Sequence, residues 1–200
     1  MSNLNQDSQS ALTIKNNEIK RVDTGGGEFV VGTQQNFNFI APKPNPDKLL
    51  KLVEKFKNIT EESPEFQDLV EFLDDYKRPR PGRKIIGLEN KLIAGAREAD
   101  IEDATYLKTR FARRFARYQL SSQHMAIHKY LLSQINERFR SKIKPYIKEG
   151  HPRIFIDAAV SDLIIQPFVD EVIEADPSID ADIIHGMLYF LTGNCHIEWA

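Results

Sequence analysis

HGMLYFLTGNCHIEW, residues 185–199, is the densest apolar run of the chain and holds its only cysteine and its only tryptophan. Because so few of its side chains are polar, a helix formed from its first half has almost no face to present to water. We therefore expect this helix to lie in the core or in an interface. We also expect the chain end that follows it to be buried.

Local signals on either side of this run set the ends of the predicted helix. Asp180 is a typical N-cap, and Gly193 or Asn194 can adopt the left-handed conformation that closes a helix. The segment CHIEW, residues 195–199, then has the character of a short strand or a buried tail. The apolar stripe of the helix keeps the spacing of an amphipathic helix and consists of Ile183, Ile184, Met187, Leu188 and Leu191.

A resemblance to a known family rests on three segments, GLENKL at 87–92, SSQHMAIHKYLLSQINERFRSKIKPYI at 121–147 and GMLYFLTGNCHIEW at 186–199. They resemble the helical C-terminal modules of bacterial ABC three-component conflict systems, over roughly 85–199. In those systems an SMC-like ATPase, a small middle component and an effector are encoded together and act in defence against phage or other invading DNA. Effectors of the family usually carry an enzymatic domain ahead of the module, whereas the residues that precede it in this chain show no enzyme signature. The resemblance implies membership of such a system, not a reaction.

Charge is distributed unevenly along the chain, although the formal net charge is only −2. Residues 1–76 hold 8 Lys/Arg against 13 Asp/Glu, residues 77–148 hold 18 against 6, and residues 149–200 hold 1 against 10. If these segments occupy different faces, the fold has a basic side and an acidic side, and either can steer a partner of opposite charge. The alternative is that the two segments neutralise each other inside one bundle.

Composition restricts where the protein is expected to work. No run approaches the roughly 18 apolar residues that a membrane helix needs, and the start MSNLNQDSQS lacks the charged-then-apolar pattern of a signal peptide. A single cysteine cannot form an internal disulfide. We therefore expect a cytoplasmic protein without membrane contact, whose 41% apolar content can bury a core.

The N-terminal region divides into three predicted parts. Residues 1–11 are polar and predict a disordered tail. Residues 12–40 contain short β-like runs and predict a β arm or hairpin, in which Phe37 and Phe39 point to the same side. The arm has too few apolar residues to fold alone, so it should pair with the main domain, a second copy or a partner's sheet edge. Residues 41–46 are a Pro-rich linker.

Residues 47–200 predict a helical domain. The pairs Asn-Pro at 45–46 and Ser-Pro at 63–64 each combine an N-cap with a proline at the first helical position. They predict two short antiparallel helices, a helical hairpin over 47–76. The module that carries the family resemblance occupies 85–199.

Apolar periodicity predicts the long helices of this module. The longest begins at Ser121 or Ser122, and Pro145 should kink or end it. Two others span about 87–98 and 153–175, and Pro167 should interrupt the second.

Two basic segments are candidate interaction sites. KRPRPGRK, residues 77–84, puts five positive charges on a proline-containing loop, which is either a solvated linker or a contact for phosphate or an acidic partner. KTRFARRFAR, residues 108–117, lies on a helix that Asp100 is predicted to cap. Its Phe111 and Phe115 are four residues apart, which is more typical of a core face than of platforms for stacking bases.

The patterns for catalysis and metal binding are incomplete. His124 and His128 have the spacing of two zinc ligands, but the glutamate of an HExxH motif is missing and position 128 fits an apolar stripe. Cys195 and His196 suggest a thiol–imidazole pair, but adjacent residues on a strand point to opposite faces. We therefore expect no metal, no cofactor and no enzymatic activity.

The sequence predicts a mainly α fold, a helical bundle of about six or seven helices with a short N-terminal β arm.

Our functional hypothesis is a non-enzymatic adaptor or regulatory subunit of a bacterial antiphage defence complex. The resemblance implies an SMC-like or other large NTPase, an effector or both as partners, and the arm can support a homo-oligomer. The alternative is nucleic-acid binding through the basic loop and helix within 77–117. The candidate partner-binding residues are Phe29, Val31, Phe37, Phe39, Lys77, Arg78, Arg80, Arg83, Lys84, Arg110, Arg113, Arg114 and Arg117.

Overall fold

Helices make up all the regular structure in the part of the chain that the structure describes, which is Phe37 and residues 39–200. The structure is a computed structural model, in which residues from Phe37 to Ala200 form one compact unit. π-helical turns at Phe139–Ile143 and Ser161–Ile165 each join two α-helices end to end, so the described residues contain seven continuous helical rods. The α-helices are α1 Pro46–Phe56, α2 Pro64–Lys77, α3 Leu88–Ala94, α4 Ile101–Arg117, α5 Ser122–Arg138, α6 Lys144–Lys148, α7 Arg153–Val160, α8 Gln166–Val172 and α9 Ala181–Gly193.

The predicted mainly α bundle of six or seven helices is therefore confirmed. Residues 1–36 and 38, which include the predicted disordered tail and most of the predicted β arm, lie outside the described residues. Among the helices that are described, none combines the length and the apolar character needed to cross a membrane.

Local side-chain caps begin three of the helices. Asn45, Ser63 and Asp180 each accept a hydrogen bond from the amide three residues on, at 3.2, 3.2 and 2.9 Å. These bonds satisfy amides that the first helical turn leaves without a partner. Asp100 precedes α4 as predicted, but its carboxylate makes no capping hydrogen bond and instead pairs with two arginines.

The helix α9 is the core element that its composition predicts. Ile184, Met187 and Leu191 are completely buried, and α9 packs most extensively on α4 and also contacts α5 and α3. Gly186 allows this close approach, since a methyl group at this position would lie 2.5 Å from the Leu107 carbonyl oxygen. The first two helices, α1 and α2, both pack on α5.

The longest rod does not end at its proline. It runs from Ser122 through the π-helical turn to Lys148, with Pro145 in the first turn of α6. The prediction that the helix ends at Pro145 is therefore wrong. The second rod with a π-helical turn has the same arrangement, because Pro167 lies in the first turn of α8. Proline has no amide hydrogen to donate, and the first turn of a helix is where that loss is tolerated.

The helix α3 ends earlier than its apolar pattern predicts, at Ala94 rather than near Glu98. Ala96 adopts the left-handed conformation with φ of 54°, and the Arg97 amide donates to the Leu92 carbonyl oxygen at 2.8 Å. Such a bond reaches back over five residues and closes a helix. A left-handed residue is usually glycine, so no residue type in the sequence signals a helix end at this alanine.

The last helix closes by the same motif, but at a different residue from the one predicted. Asn194 has φ of −92°, and Cys195 takes the left-handed conformation with φ of 65°. The His196 amide then donates to the Leu191 carbonyl oxygen at 2.9 Å. The prediction of a left-handed Gly193 or Asn194 is therefore wrong, and the segment after α9 is a buried tail rather than a strand.

Candidate functional site

The buried tail after α9, residues 195–199, is anchored by its tryptophan. The Trp199 side chain is 5% exposed, and its indole Nε1 donates to Thr192 Oγ1 at 3.2 Å. The Phe139 ring contacts it edge-on with 4.9 Å between centroids, and the Arg97 guanidinium lies 4.2 Å from its centroid. Gly95 of the α3 end leaves room for the Trp199 backbone. The sequence predicts a buried chain end, and the structure confirms that burial.

A lysine of the GLENKL segment holds the same tail from α3. Lys91 is 1% exposed, and its Nζ donates to the Ile197 carbonyl oxygen at 3.0 Å. Burial lowers the pKa of Lys91, while the neighbouring Cys195 and Glu198 favour its charged form. Arg83 completes the clamp with an ion pair to Glu198 and a hydrogen bond to the Cys195 carbonyl oxygen at 3.2 Å. We call these contacts the tail clamp.

The basic loop 77–84 is only partly available to a partner. Lys77 pairs with Asp74 at 2.7 Å and lies 5.1 Å from the Phe115 ring centroid. Arg83 belongs to the tail clamp, and the loop is tied to the end of α9 by the Arg80 amide, which donates to the Asn194 carbonyl oxygen at 3.0 Å. The loop cations that are exposed and form no ion pair with a described residue are Arg78, Arg80 and Lys84.

The two described phenylalanines of the predicted arm contact the main domain. Phe37 and Phe39 lie against the same ring, that of Phe155, at centroid distances of 4.8 and 5.1 Å. Phe39 also lies 6.2 Å from the Tyr146 ring. The other two arm candidates, Phe29 and Val31, lie outside the described residues.

A groove of about 750 Å³ runs along α4 and is lined by four of its arginines. The tyrosines Tyr106 and Tyr118 and the threonines Thr105 and Thr109 add aromatic and hydroxyl groups to the lining. Ser178, from the turn before α9, and Ile183, from the first turn of α9, contribute to it as well. The groove residues supplied by the basic segment are Arg110, Arg113, Arg114 and Arg117.

Arg110 is held by two carboxylates at the start of α9. Its guanidinium donates to Asp180 at 2.6 Å and to Asp182 at 2.5 Å. The hydrogen bond with Asp180 raises the pKa of Arg110, against an opposing effect of burial. The two carboxylate side chains remain 51% and 57% exposed, so they add negative charge beside the groove.

Arg114 is held more deeply, by the turn before α9. Its guanidinium pairs with Asp176 and donates to Ser178 Oγ at 2.8 Å. It also lies 4.8 Å from the centroid of the Tyr118 ring, on which the His124 ring stacks. Arg114 and Asp176 are each about nine-tenths buried, so this pair holds the turn against α4.

The other two arginines of the groove differ from these. Arg113 and Arg117 are exposed, and neither forms an ion pair with any residue that the structure describes. They sit three positions after Arg110 and Arg114, respectively, and so form a second row beside the first on the same helix. The sequence does not separate the two rows, because all four residues are arginines in one basic run.

Internal pairing between the basic and acidic segments extends beyond the groove. Cations of residues 77–148 that pair with carboxylates of residues 149–200 are Arg83, Arg97, Arg110, Arg114, Arg138 and Lys144. For these six residues, the structure therefore supports the second of the two sequence-based alternatives, in which the basic segment 77–148 and the acidic segment 149–200 neutralise each other inside one bundle. The cations left exposed are the ones that a partner can reach.

The histidines that suggest zinc ligands are directed into different environments. His128 is completely buried and packs edge-on against Phe111 and Phe115, and neither ring nitrogen bonds to a described residue. The His124 ring is instead bonded to Ser121 Oγ at 2.7 Å. Among the described residues, no group of three or more His, Cys, Asp or Glu side chains is arranged to hold a metal ion.

The buried His128 should make the stability of the protein fall in mild acid. Burial lowers its pKa to about 3, whereas the unfolded chain titrates near 6.5. Because the unfolded state then binds the proton and the folded state does not, stability is lost as the pH falls below about 6.5. Between pH 7 and pH 5 we expect a loss of about 2 kcal/mol from this residue, measured by urea unfolding.

The variant His128→Leu should remove most of this pH dependence, while His151→Gln, which changes an exposed histidine, should keep it. A residual slope is expected in both variants, because burial also lowers the pKa of His124 and His196. Equal pH dependence in wild type and His128→Leu would contradict the assignment.

Comparison with known families matches residues 87–199 to C-terminal domain 9 (CTD9) of the ABC-three component (ABC-3C) systems. The match covers more than half of the chain and the predicted region of resemblance. The chain belongs to the CTD9 family. Its CTD9 region begins in the GLENKL segment and ends at Trp199, so the tail clamp joins the two ends of the module. No curated protein and no solved structure matches the chain.

Proposed function

We propose that this CTD9 protein is a non-enzymatic docking subunit that holds other proteins of an ABC-three component system together. Family membership makes it a component of such a system, and a multi-component system implies protein partners. The partners proposed are an SMC-like or other large NTPase, an effector, or both, acting together against phage or other invading DNA. A cytoplasmic location follows from this proposal, since an NTPase partner needs the nucleotides of the cytoplasm.

The observation that carries the proposal is the mixed charge of the groove on α4. The exposed Arg113 and Arg117 share this groove with Arg110, whose partners Asp180 and Asp182 remain about half exposed. Protein interfaces commonly match charges of both signs in this way. A nucleic-acid site instead favours a basic patch, because each phosphate is neutralised by a cation.

The exposed arginines also support a second candidate function, nucleic-acid binding. Arg78 and Arg80 line a different cleft from the groove on α4, and the two share no lining residue. These two arginine pairs, Arg78 with Arg80 and Arg113 with Arg117, therefore belong to two different clefts. Binding to nucleic acid through either site predicts an affinity that falls with salt, by about one unit of log–log slope for each phosphate neutralised.

The proposal that the protein is not an enzyme rests on the surroundings of its candidate nucleophile. Cys195 is 1% exposed, and its Sγ faces the Ile85 carbonyl oxygen at 4.0 Å. The His196 ring is directed elsewhere and packs on the Tyr76 ring at 4.8 Å. A reactive cysteine usually has an accessible thiol beside its base.

We further propose that any homo-oligomer forms through the N-terminal arm.

Affinity purification of the tagged protein from its native host, with and without nuclease, tests the docking function. We expect a large NTPase to co-purify and to remain after nuclease treatment. Recovery of no host protein, or loss of every partner with nuclease, would contradict the proposal. The second result would instead favour nucleic-acid binding.

Charge-reversal variants then locate the docking surface. Arg78→Glu with Arg80→Glu changes the loop, and Arg113→Glu with Arg117→Glu changes the groove. The matched control is Lys142→Glu with Lys148→Glu, because both lysines are exposed and lie outside these two sites. The control should retain the partner that one of the other two double variants loses.

A further inference from the structure

An acidic segment of the chain itself already lies along one row of the groove. In DPSIDAD, residues 176–182, Asp176 and Ser178 contact Arg114, while Asp180 and Asp182 contact Arg110. The two arginines are one helical turn apart, about 6 Å along the axis. Asp176 and Asp180, also four residues apart, therefore reach successive guanidinium groups. This shows how a short acidic segment fits the spacing of arginines on α4.

The second row repeats that spacing on the exposed side of the groove. Arg113 and Arg117 are again one turn apart, and each stands three residues after an arginine of the first row. Arginine presents a planar fork of donors that matches a carboxylate. Two carboxylates spaced as Asp176 and Asp180 are spaced would therefore find two matching donors.

The remaining lining favours a polypeptide over a bare anion. The Tyr106 side chain is 66% exposed, and it offers a ring on which an apolar side chain can pack. Exposed tyrosine and arginine are residue types enriched at protein interfaces. Thr105 and Thr109 also line the groove, and the Thr109 hydroxyl donates to the Thr105 carbonyl oxygen at 2.8 Å.

Negative charge beside the groove disfavours a long polyanion. Asp180 and Asp182 are about half exposed, and Glu102 is both exposed and part of the lining. A nucleic-acid strand extending beyond the two free arginines would approach these carboxylates and be repelled. A short acidic segment that ends within the row avoids them.

We propose that Arg113 and Arg117 bind an acidic segment of a partner protein, in which two carboxylates stand about four residues apart beside an apolar residue. This inference rests on the proposed docking function and names the chemistry of the partner. The segment lies along the outer row, at Arg113 and Arg117, and repeats there the contacts that residues 176–182 of this chain make with Arg110 and Arg114.

Fluorescence anisotropy with the full chain tests this assignment. The probe is a labelled peptide that copies residues 176–182, DPSIDAD, and its control has asparagine in place of every aspartate. We expect saturable binding of the acidic peptide only. The double variant Arg113→Glu with Arg117→Glu should weaken it about tenfold or more, since two attractive pairs become repulsive. Lys142→Glu with Lys148→Glu should leave it within about twofold.

The outcomes separate this site from the wider proposal. No saturable binding of the peptide, or equal loss in both double variants, overturns the assignment. A single-stranded oligonucleotide that displaces the peptide and loses its own binding in the groove variant would assign Arg113 and Arg117 to nucleic acid instead. If the groove variant still co-purifies with the host partner, the docking function stands and only this site is overturned.

Discussion

Trp199→Ala should lower the free energy of unfolding by about 3–5 kcal/mol, the range for removing a large buried aromatic side chain. The ring is 5% exposed and packs against Phe139 and the Arg97 guanidinium. Its loss leaves a cavity beside the end of α3 and removes the donor to Thr192. Because this is the only tryptophan, urea unfolding should be followed by far-ultraviolet circular dichroism rather than by intrinsic fluorescence.

Two further variants serve as comparisons. One removes only part of the Trp199 side chain, and the other removes an exposed aromatic ring elsewhere. Trp199→Phe keeps an aromatic ring but loses the indole donor, so we expect a smaller loss of about 1–2 kcal/mol. Tyr106→Ala removes an aromatic ring that is 66% exposed, and should change stability by no more than about 0.5 kcal/mol. A loss at Trp199→Ala no larger than that at Tyr106→Ala would mean that the tail does not hold the module together.

Gly186→Ala should destabilise the protein by about 2–3 kcal/mol, although alanine favours helices over glycine. A methyl group at Gly186 would lie 2.5 Å from the Leu107 carbonyl oxygen and 2.8 Å from Phe111 Cβ. Neither atom is the end of a flexible side chain, so α4 and α9 must move apart to accept it. Thermal and urea unfolding measure the effect.

The matched control lies in the same helix. A methyl group at Gly193 would meet the end of the Lys108 side chain, with Nζ at 2.6 Å and Cε at 3.0 Å, and this flexible end can move away. We therefore expect Gly193→Ala to be neutral or to stabilise by up to about 1 kcal/mol. A similar stability change in the two variants would show that the contact between α4 and α9 is looser than the structure describes.

The residues that carry the family resemblance are largely used to hold the fold together. Lys91 of GLENKL and Trp199 of the last segment are buried in the tail clamp. The exposed cations proposed for docking, such as Arg113 and Arg117, instead lie on the outer side of α4. Variants of the tail clamp should therefore act through stability, whereas variants of the groove should act on partner binding.

The sequence by itself determined the helices and most of their beginnings. Asn45, Ser63 and Asp180 act as caps in the structure, as their residue types predict. Caps and apolar periodicity depend on neighbours within one or two turns, so they can be read without knowing the fold. The burial of α9 and of Trp199 followed equally from composition, because so apolar a segment must leave water.

Only the tertiary structure decided which charges are available to a partner. Arg110 and Arg113 are indistinguishable in the sequence, yet the first is held by Asp180 and Asp182 from a distant part of the chain. The left-handed conformation of Cys195 could not be predicted from the sequence either, because glycine is the usual residue in that conformation. The packing of the tail overrides this preference. Arg110 and Asp180 lie 70 residues apart in the chain, so their pairing depends on how α9 packs on α4. No local sequence pattern encodes that packing.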